Sequence, residues 1–182
     1  MKRKLLVVDT ETGGLDPSIH PIVSIAALVY HEGAVIDQLH EVINEGPGVL
    51  QDPEAQAIHG IDASRGKSPL QVVMAIEAML QKHDMRSRVT ICAHNAAFDV
   101  GFMKRLWFHA GKNFEKTFDY RHLCTQTGAL LLEQAGRLTL PGGSASLSTL
   151  TKMWNIPIHE HDALSDALAT VAVLKKELAL LR

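Results

Sequence analysis

The chain has few of the residues that staple small or exported proteins together. Cysteine occurs twice, as Cys92 and Cys124, outside any CxxC pair and each in a mostly apolar setting. That excludes a disulfide scaffold and points to free thiols in a reducing compartment. No apolar run approaches the length of a membrane span. After the basic start MKRK, the apolar stretch Leu5–Val8 ends at Asp9, too short for the core of a secretion signal. The expected location is the cytoplasm, with no membrane partner. Charge of one sign is also lacking: 18 Lys and Arg against 20 Asp and Glu leave a net charge of −2. Such a balance gives no global pull toward nucleic acid or an acidic membrane, but it leaves room for a local basic track.

What is present is an ordinary globular composition. The 182 residues are 46 % apolar and 21 % charged, enough for one domain over 1–182 with a substantial core. Leu5–Val8 is a short apolar strand, followed by strands over Pro21–Tyr30 and Ala34–Ile43 with a tight turn at Gly33. Asp52 and Pro53 start a short helix to Ile58, and Ser68 and Pro69 start a longer one over Leu70–His83. In the longer helix Val72, Val73, Ile76, Met79 and Leu80 form the apolar stripe. Val89–Ala93 is a buried strand, Ala96–His109 a helix, and Phe114–Asp119 a short strand. Residues from about Arg121 to Gln134 read as helical, 140–146 as a loop, and Leu147–Trp154 as a helix. The last helix runs from about Asp162 to Leu180, with Ala163, Ala167, Thr170, Val171 and Leu174 on one side. Strands crowd the first half and helices the second, which predicts a mixed α/β domain with helices on both faces of one sheet.

The first strand ends unexpectedly. In LLVVDTETGG, Asp9 and Glu11 are two residues apart, so on a strand they share a face. Side by side, each raises the other's pKa unless something positive lies between them. A hard divalent cation such as Mg²⁺ or Mn²⁺ answers that need with oxygen ligands. An isolated DxE pair is more often a solvated strand end. Here Asp99 follows a second buried strand within HNAAFD, and Asp166 lies early in the last helix within HDALSD. Asn95 would cap the helix carrying Asp99, near the favourable end of its dipole. Asp166 shares a side with Ala163 and Thr170, and an acid facing the protein requires a partner. His161 precedes that helix and is a candidate proton acceptor, with His159 and Asp162 as competitors. Acids and one histidine without cysteine argue against structural zinc. Arg86, Arg88, Lys104, Arg105 and Lys112 read either as phosphate contacts or as scattered solvated charges.

DTETGG at 9–14, HNAAFD at 94–99 and HDALSD at 161–166 together resemble the three motifs of the DnaQ-like 3′–5′ exonucleases. The match is narrower to the DEDDh subgroup, which has a histidine in the third motif and contains the DNA polymerase III proofreading subunit, ribonuclease T and oligoribonuclease. The resemblance implies a ribonuclease H-like fold, a mixed central sheet of about five strands with helices on both faces. It implies two Mg²⁺ ions, replaceable by Mn²⁺, held roughly 4 Å apart by Asp9, Glu11, Asp99 and Asp166. His161 corresponds to the general base, and the reaction releases 5′-mononucleotides from a 3′ end. Thr12, Gly13, Leu15, His59, Asn95 and Phe98 are the implied substrate contacts, with IHGI at 58–61 resembling the turn between the first two motifs. Gly13-Gly14 stands where many members carry Thr-Gly, and these glycines are expected to leave room for a nucleotide. The expected partners are single-stranded DNA or RNA 3′ ends, leaning to DNA, with a homodimer and a polymerase or repair partner left open. The rival from another class is a non-catalytic nucleic-acid-binding module, whose usual sign is a missing metal-binding acid. None is missing here.

Overall fold

The computed structural model describes residues 3–182. The basic start at Met1 and Lys2 lies outside the described residues. Five strands form one sheet: β1 (Leu5–Thr12), β2 (Ile22–His31), β3 (Ala34–Val42), β4 (Thr90–Ala93) and β5 (Leu123–Cys124). Their order is β3-β2-β1-β4-β5. The β1-β2 and β2-β3 pairs are antiparallel, and the β1-β4 and β4-β5 pairs are parallel. Every residue of β2 except His31 is buried, which is why it reads as an apolar run broken only by Ser24. The edge strand β3 instead alternates between exposed and half-buried positions for most of its length. Glu32 (φ 50°) and Gly33 (φ 92°) connect the two strands, a two-residue turn with both φ values positive that matches their twist.

Among the described residues seven α-helices complete the fold, α1 (Pro53–His59), α2 (Pro69–Lys82), α3 (Ala96–His109), α4 (Phe114–Thr117), α5 (Thr125–Gln134), α6 (Leu147–Trp154) and α7 (Ala163–Leu180), with short 3-10 turns at Ala63–Arg65 and Pro141–Gly143. Ser68 and Gln71 form a reciprocal capping box at the start of α2, with Pro69 in the first turn. Because strand side chains alternate between faces, Leu6, Val8, Ile25 and Val29 pack with Ile76, Phe102 and Leu106 of α2 and α3. Leu5, Val7, Ala26 and Leu28 pack with Ala163, Ala167, Val171 and Leu174 of α7. Burying each side chain such as Leu6 or Ile76 contributes about 1.5–3 kcal/mol. This is the ribonuclease H-like sheet, with helices on both faces, that the motifs imply. Among the described residues, no helix is long and apolar enough to cross a membrane.

Three local expectations are corrected. The stretch expected as a strand over Phe114–Asp119 is the one-turn helix α4, because Asn113 Oδ1 accepts the Lys116 N–H and turns the chain; Phe118 then makes only an isolated bridge to Val89. The stretch expected to be helical from Arg121 starts as β5, pairing with β4, and becomes α5 only at Thr125. Finally, β1 does not stop at Val8. It continues through Thr12, because Asp9, Thr10 and Glu11 stay paired with Ala26, Ile25 and Ser24 of β2.

Candidate active site

β1 has neighbours on both sides only at its start. Leu5, Leu6 and Val7 pair with both β2 and β4. The chain of β4 then turns away into α3, and Asp9–Thr12 are left with β2 alone. A gap opens there, at the carboxyl ends of two parallel strands, the usual ligand-binding end of an open α/β sheet. Alternation places Asp9 and Glu11 on the α7 side, with Leu5 and Val7, and Thr10 on the α3 side, with Leu6 and Val8. A register slip between Glu11 and Thr12 ends the regular ladder.

α7 supplies the third acid. Asp162 Oδ1 caps the helix by accepting the Ser165 N–H at 2.8 Å, and Asp166 lies in its first turn. One carboxylate oxygen from each of Asp9, Glu11 and Asp166 lies within 4.8 Å of the others. The backbone N–H of His161 donates to Asp166 Oδ2 at 3.4 Å, whereas Asp166 Oδ1 is buried without a hydrogen-bond partner. Asp99, on α3, is 3 % exposed, and the Thr10 hydroxyl donates to its Oδ1 at 3.0 Å.

The electrostatics are unfavourable without a counter-charge. Burial, and then the charges of Asp99, Asp166 and Glu11, push the Asp9 carboxyl well above its ordinary range. Burial raises Glu11 to about 7, with Asp166 adding to the shift and His161 opposing it. Burial raises Asp99 to about 7 against the hydrogen bond from Thr10. It raises Asp166 to about 6 against the His161 N–H. None of the four forms an ion pair with Lys or Arg among the described residues. Crowded carboxylates, a buried oxygen with no donor and an all-oxygen ligand set fit a hard divalent cation.

The remaining predicted residues surround this cluster unevenly. His161 is exposed and adopts a left-handed conformation, φ 66°, at the connector preceding α7. The Thr12 hydroxyl donates to the Gly14 carbonyl at 2.7 Å, so its proton is committed to the turn. Leu15 is 83 % exposed just beyond that turn. The expectation that Gly13 and Gly14 leave room for a nucleotide is corrected. A Cβ on Gly13 would lie 2.7 Å from Pro21, and one on Gly14 2.5 Å from the His20 ring, so the chain's own return path fills that space. Asp52 N–H donates to the Gly13 carbonyl at 2.7 Å and ties α1 to this turn. His59 ends α1; its Nδ1 accepts the Ile61 N–H at 2.9 Å, leaving Nε2 buried and without a partner. Burial lowers its pKa and favours the neutral ring.

Asn95 does not cap α3 with its side chain. It sits at φ 63°, and its amide makes no capping bond, because the left-handed backbone is what redirects the chain from β4 into the helix. Phe98 is half-buried, its ring centroid 4.9 Å from that of Phe102, so most of it belongs to the core. Two supporting residues escaped the sequence reading. Thr10 holds Asp99, and a hydroxyl set between two acids but on the opposite face of the strand was the available signal. His94 bridges Thr125 Oγ1 at 2.8 Å and the Ala145 carbonyl at 3.0 Å, bracing the β4-to-α3 turn against α5 and the 140–146 loop. Burial lowers its pKa to about 4, so the ring is neutral.

Comparison with known proteins gives a consistent picture. The profile of the exonuclease family matches residues 6–174. A DNA polymerase III PolC-type from Streptococcus agalactiae is 33 % identical over 176 residues, 93 % of this chain and 11 % of that protein. The PolC-type from Thermotoga petrophila is 28 % identical over 169 residues, 92 % of this chain and 11 % of its own length. The chain thus spans about a ninth of these relatives. Among solved structures, E. coli exonuclease I in complex with a dT13 oligonucleotide superposes with a TM-score of 0.79 at 20 % identity, over 98 % of this chain and 41 % of that one. Exonuclease I from Methylocaldum szegediense gives 0.77 at 22 % identity, over 100 % and 41 %. At these identities the structural matches establish the fold.

Proposed function

The chain belongs to the DnaQ-like 3′–5′ exonuclease family, and on that premise we propose that it hydrolyses single-stranded nucleic acid from the 3′ end, DNA in preference to RNA, releasing 5′-mononucleotides. The observation that carries this reading is the convergence of one carboxylate oxygen each from Asp9, Glu11 and Asp166 within 4.8 Å, with no Lys or Arg ion pair to them among the described residues. In this reading Asp9, Glu11 and Asp166 hold a divalent cation, Mg²⁺ or in its place Mn²⁺, and Asp9 and Asp99 hold a second. When bound, the cations would offset carboxylate repulsion, polarise the phosphodiester and lower the pKa of water. His161 takes the proton from the attacking water. The water oxygen bonds to phosphorus, the P–O3′ bond breaks, and the shortened chain keeps a 3′-hydroxyl. Thr10 fixes one oxygen of Asp99 through its hydrogen bond. Leu15, His59, Asn95 and Phe98 contact the terminal nucleotide, with the exposed Asn95 amide as a donor. The preference for DNA draws on the relatives, named as DNA polymerases or bound to a dT oligonucleotide. A polymerase or repair complex is the corresponding setting.

The test compares matched labelled single-stranded DNA, double-stranded DNA and RNA with Mg²⁺, Mn²⁺ or EDTA. Stepwise mononucleotide release from single-stranded DNA, abolished by EDTA, is the expected result; internal cuts or metal-independent cleavage would reject the reading. His161→Ala should slow single-turnover hydrolysis by about 10²–10⁴-fold, the usual contribution of a general base, while Mn²⁺ affinity stays close to wild type. An unchanged rate removes His161 from that role.

A further inference from the structure

We propose that the hollow beneath the last turns of α7, at the end of the sheet opposite the acids, binds a small amphiphile with one anionic head, such as an acyl carboxylate. The inference does not rest on the exonuclease reading. The floor is a row across the sheet, in which Tyr30 of β2 and Thr90 of β4 flank Leu5 in register. Leu5 and Tyr30 face α7, as Val7 and Ala26 do. Leu174 and Leu178, one turn apart on α7, form the roof, and Leu123 of β5 closes one side. Leu174 is buried and Leu178 is 43 % exposed, so the apolar stripe of α7 runs on past the point where the sheet covers it. The space is about 510 Å³, within the usual range for a small-molecule site.

The charged groups around this apolar space are mostly of one sign. Arg3, Lys175 and Arg182 line it against one acid, Glu32. The three cations are exposed, and among the described residues none has a carboxylate within 4.0 Å. Arg3 Nη1 donates to Thr90 Oγ1 at 2.8 Å, a neutral acceptor that orients the charge without cancelling it. Tyr30 is 7 % exposed, yet among the described residues its hydroxyl has no hydrogen-bond partner and is not sealed from solvent. A buried phenol usually finds a partner, and the space that Tyr30 lines is this hollow. The leucine walls offer the polar edges of a base or sugar nothing to bond, whereas an aliphatic chain gains by leaving water there. A single carboxylate head accepts from the Tyr30 hydroxyl and meets the unpaired cations at the rim. Leu5 precedes Asp9 by about 13 Å of extended strand, so such a ligand does not touch the metal-binding acids.

The test follows the backbone amides of isotopically labelled protein by NMR as octanoate, below its micelle concentration, or octanol is added. Octanoate should give saturable shifts centred on Leu5, Tyr30 and Leu174. Octanol, the same chain with an uncharged head, should bind about tenfold more weakly, as the loss of one charge-assisted contact predicts. Lys175→Glu should weaken octanoate about tenfold and leave octanol within about twofold of wild type. Leu178→Asn, at a half-exposed position that spares the core, should weaken both several-fold. Tyr30→Phe should weaken octanoate several-fold. Shifts scattered over the surface without saturation overturn the site, and so does binding that Leu178→Asn and Tyr30→Phe leave unchanged. Equal affinity for octanoate and octanol overturns the anionic head. Binding that appears only after residues 1 and 2 are removed also overturns the proposal, since the start of the chain would then be the occupant. None of these readouts depends on nuclease activity.

Discussion

Glu45 and Asp9 are both carboxylates removed from water, and the fold treats them in opposite ways. The Glu45 side chain, 1 % accessible, receives Arg105 Nε and Nη2 at 3.0 and 2.8 Å and the Ile22 N–H at 3.1 Å. Arg105 also donates to the Pro17 carbonyl at 3.1 Å, so the pair clamps the loop after the first acids onto α3. Asp119 is handled in the same way, with Arg121 and Arg88 holding its carboxyl far below the usual range. At the end of β1, Asp9, Glu11 and Asp166 meet with the charge of Asp99 felt nearby, and among the described residues no arginine or lysine pairs with them. Glu177 shows a third outcome, a lone acid pressed against Gly128 that burial raises to about 8, with Oε1 unpartnered. The chain thus supplies arginines to Glu45 and Asp119, while among the described residues neither Glu177 nor the acids at the end of β1 pair with one. At the end of β1, unlike at Glu177, several carboxylates crowd together, a set that fits a divalent cation.

The contrast is broken most directly at the acids themselves. Asp9→Ala or Asp166→Ala should cut hydrolysis by on the order of 10³-fold or more, the equivalent of several kcal/mol of lost charge stabilisation. Circular dichroism should show the fold retained, because neither acid stabilises the metal-free protein. Normal turnover by either folded variant would end the site assignment. Arg105→Ala should do the reverse, costing stability rather than chemistry. Leaving Glu45 buried without its cation should cost about 3–5 kcal/mol, read as a lower urea midpoint. A midpoint unchanged from wild type would mean that Glu45 does not depend on Arg105.

A finer test lies between the two regions. Thr10→Val keeps the side-chain shape and removes only the donor to Asp99. It should raise the Mg²⁺ concentration for half-maximal activity by about 10–100-fold, the usual effect of losing a bond that orients a metal ligand. An unchanged Mg²⁺ requirement would make Thr10 a packing residue. The smallest effect is on stability against pH. Glu11 and Asp99 at about 7 and Asp166 at about 6 are raised above their ordinary values. Raised carboxyls contribute stability that is complete below the ordinary values and is lost as pH rises through 6 to 7. In EDTA, Asp9→Asn should therefore melt higher than wild type near pH 8, by about 2–4 °C per kcal/mol of repulsion removed. Mg²⁺ should raise the wild-type Tm near pH 8 and have little effect near pH 5. A lower Tm for Asp9→Asn at pH 8 would show that the acids are not in mutual repulsion.

Most of the fold could be read along the chain because its signals are local. The apolar run of β2, the Ser68-Pro69 start of α2 and the spacing of Ala163, Ala167, Val171 and Leu174 each declare an element within a few residues. Where the reading went wrong, a distant partner or a single cap decided the matter. Leu123 and Cys124 are strand because β4 lies beside them, and Phe114–Thr117 is helix because Asn113 turns one N–H inward. Asn95 looked like a side-chain cap, but its φ of 63° is a backbone property that residue type permits without requiring.

By itself the sequence determined the family and which residues are candidates for its chemistry. Three motifs in order, at the end of β1, after β4 and at the start of α7, carried the resemblance to the family, while strand and helix periodicity set which side chains share a face. Tertiary structure decided how those acids meet. β4 leaves β1 after Val7 and opens the gap, Thr10 meets Asp99 on the α3 face of the sheet, and Pro21 and His20 close over the two glycines. Each depends on segments far apart in the chain, and long-range packing, unlike periodicity, leaves no local pattern to read.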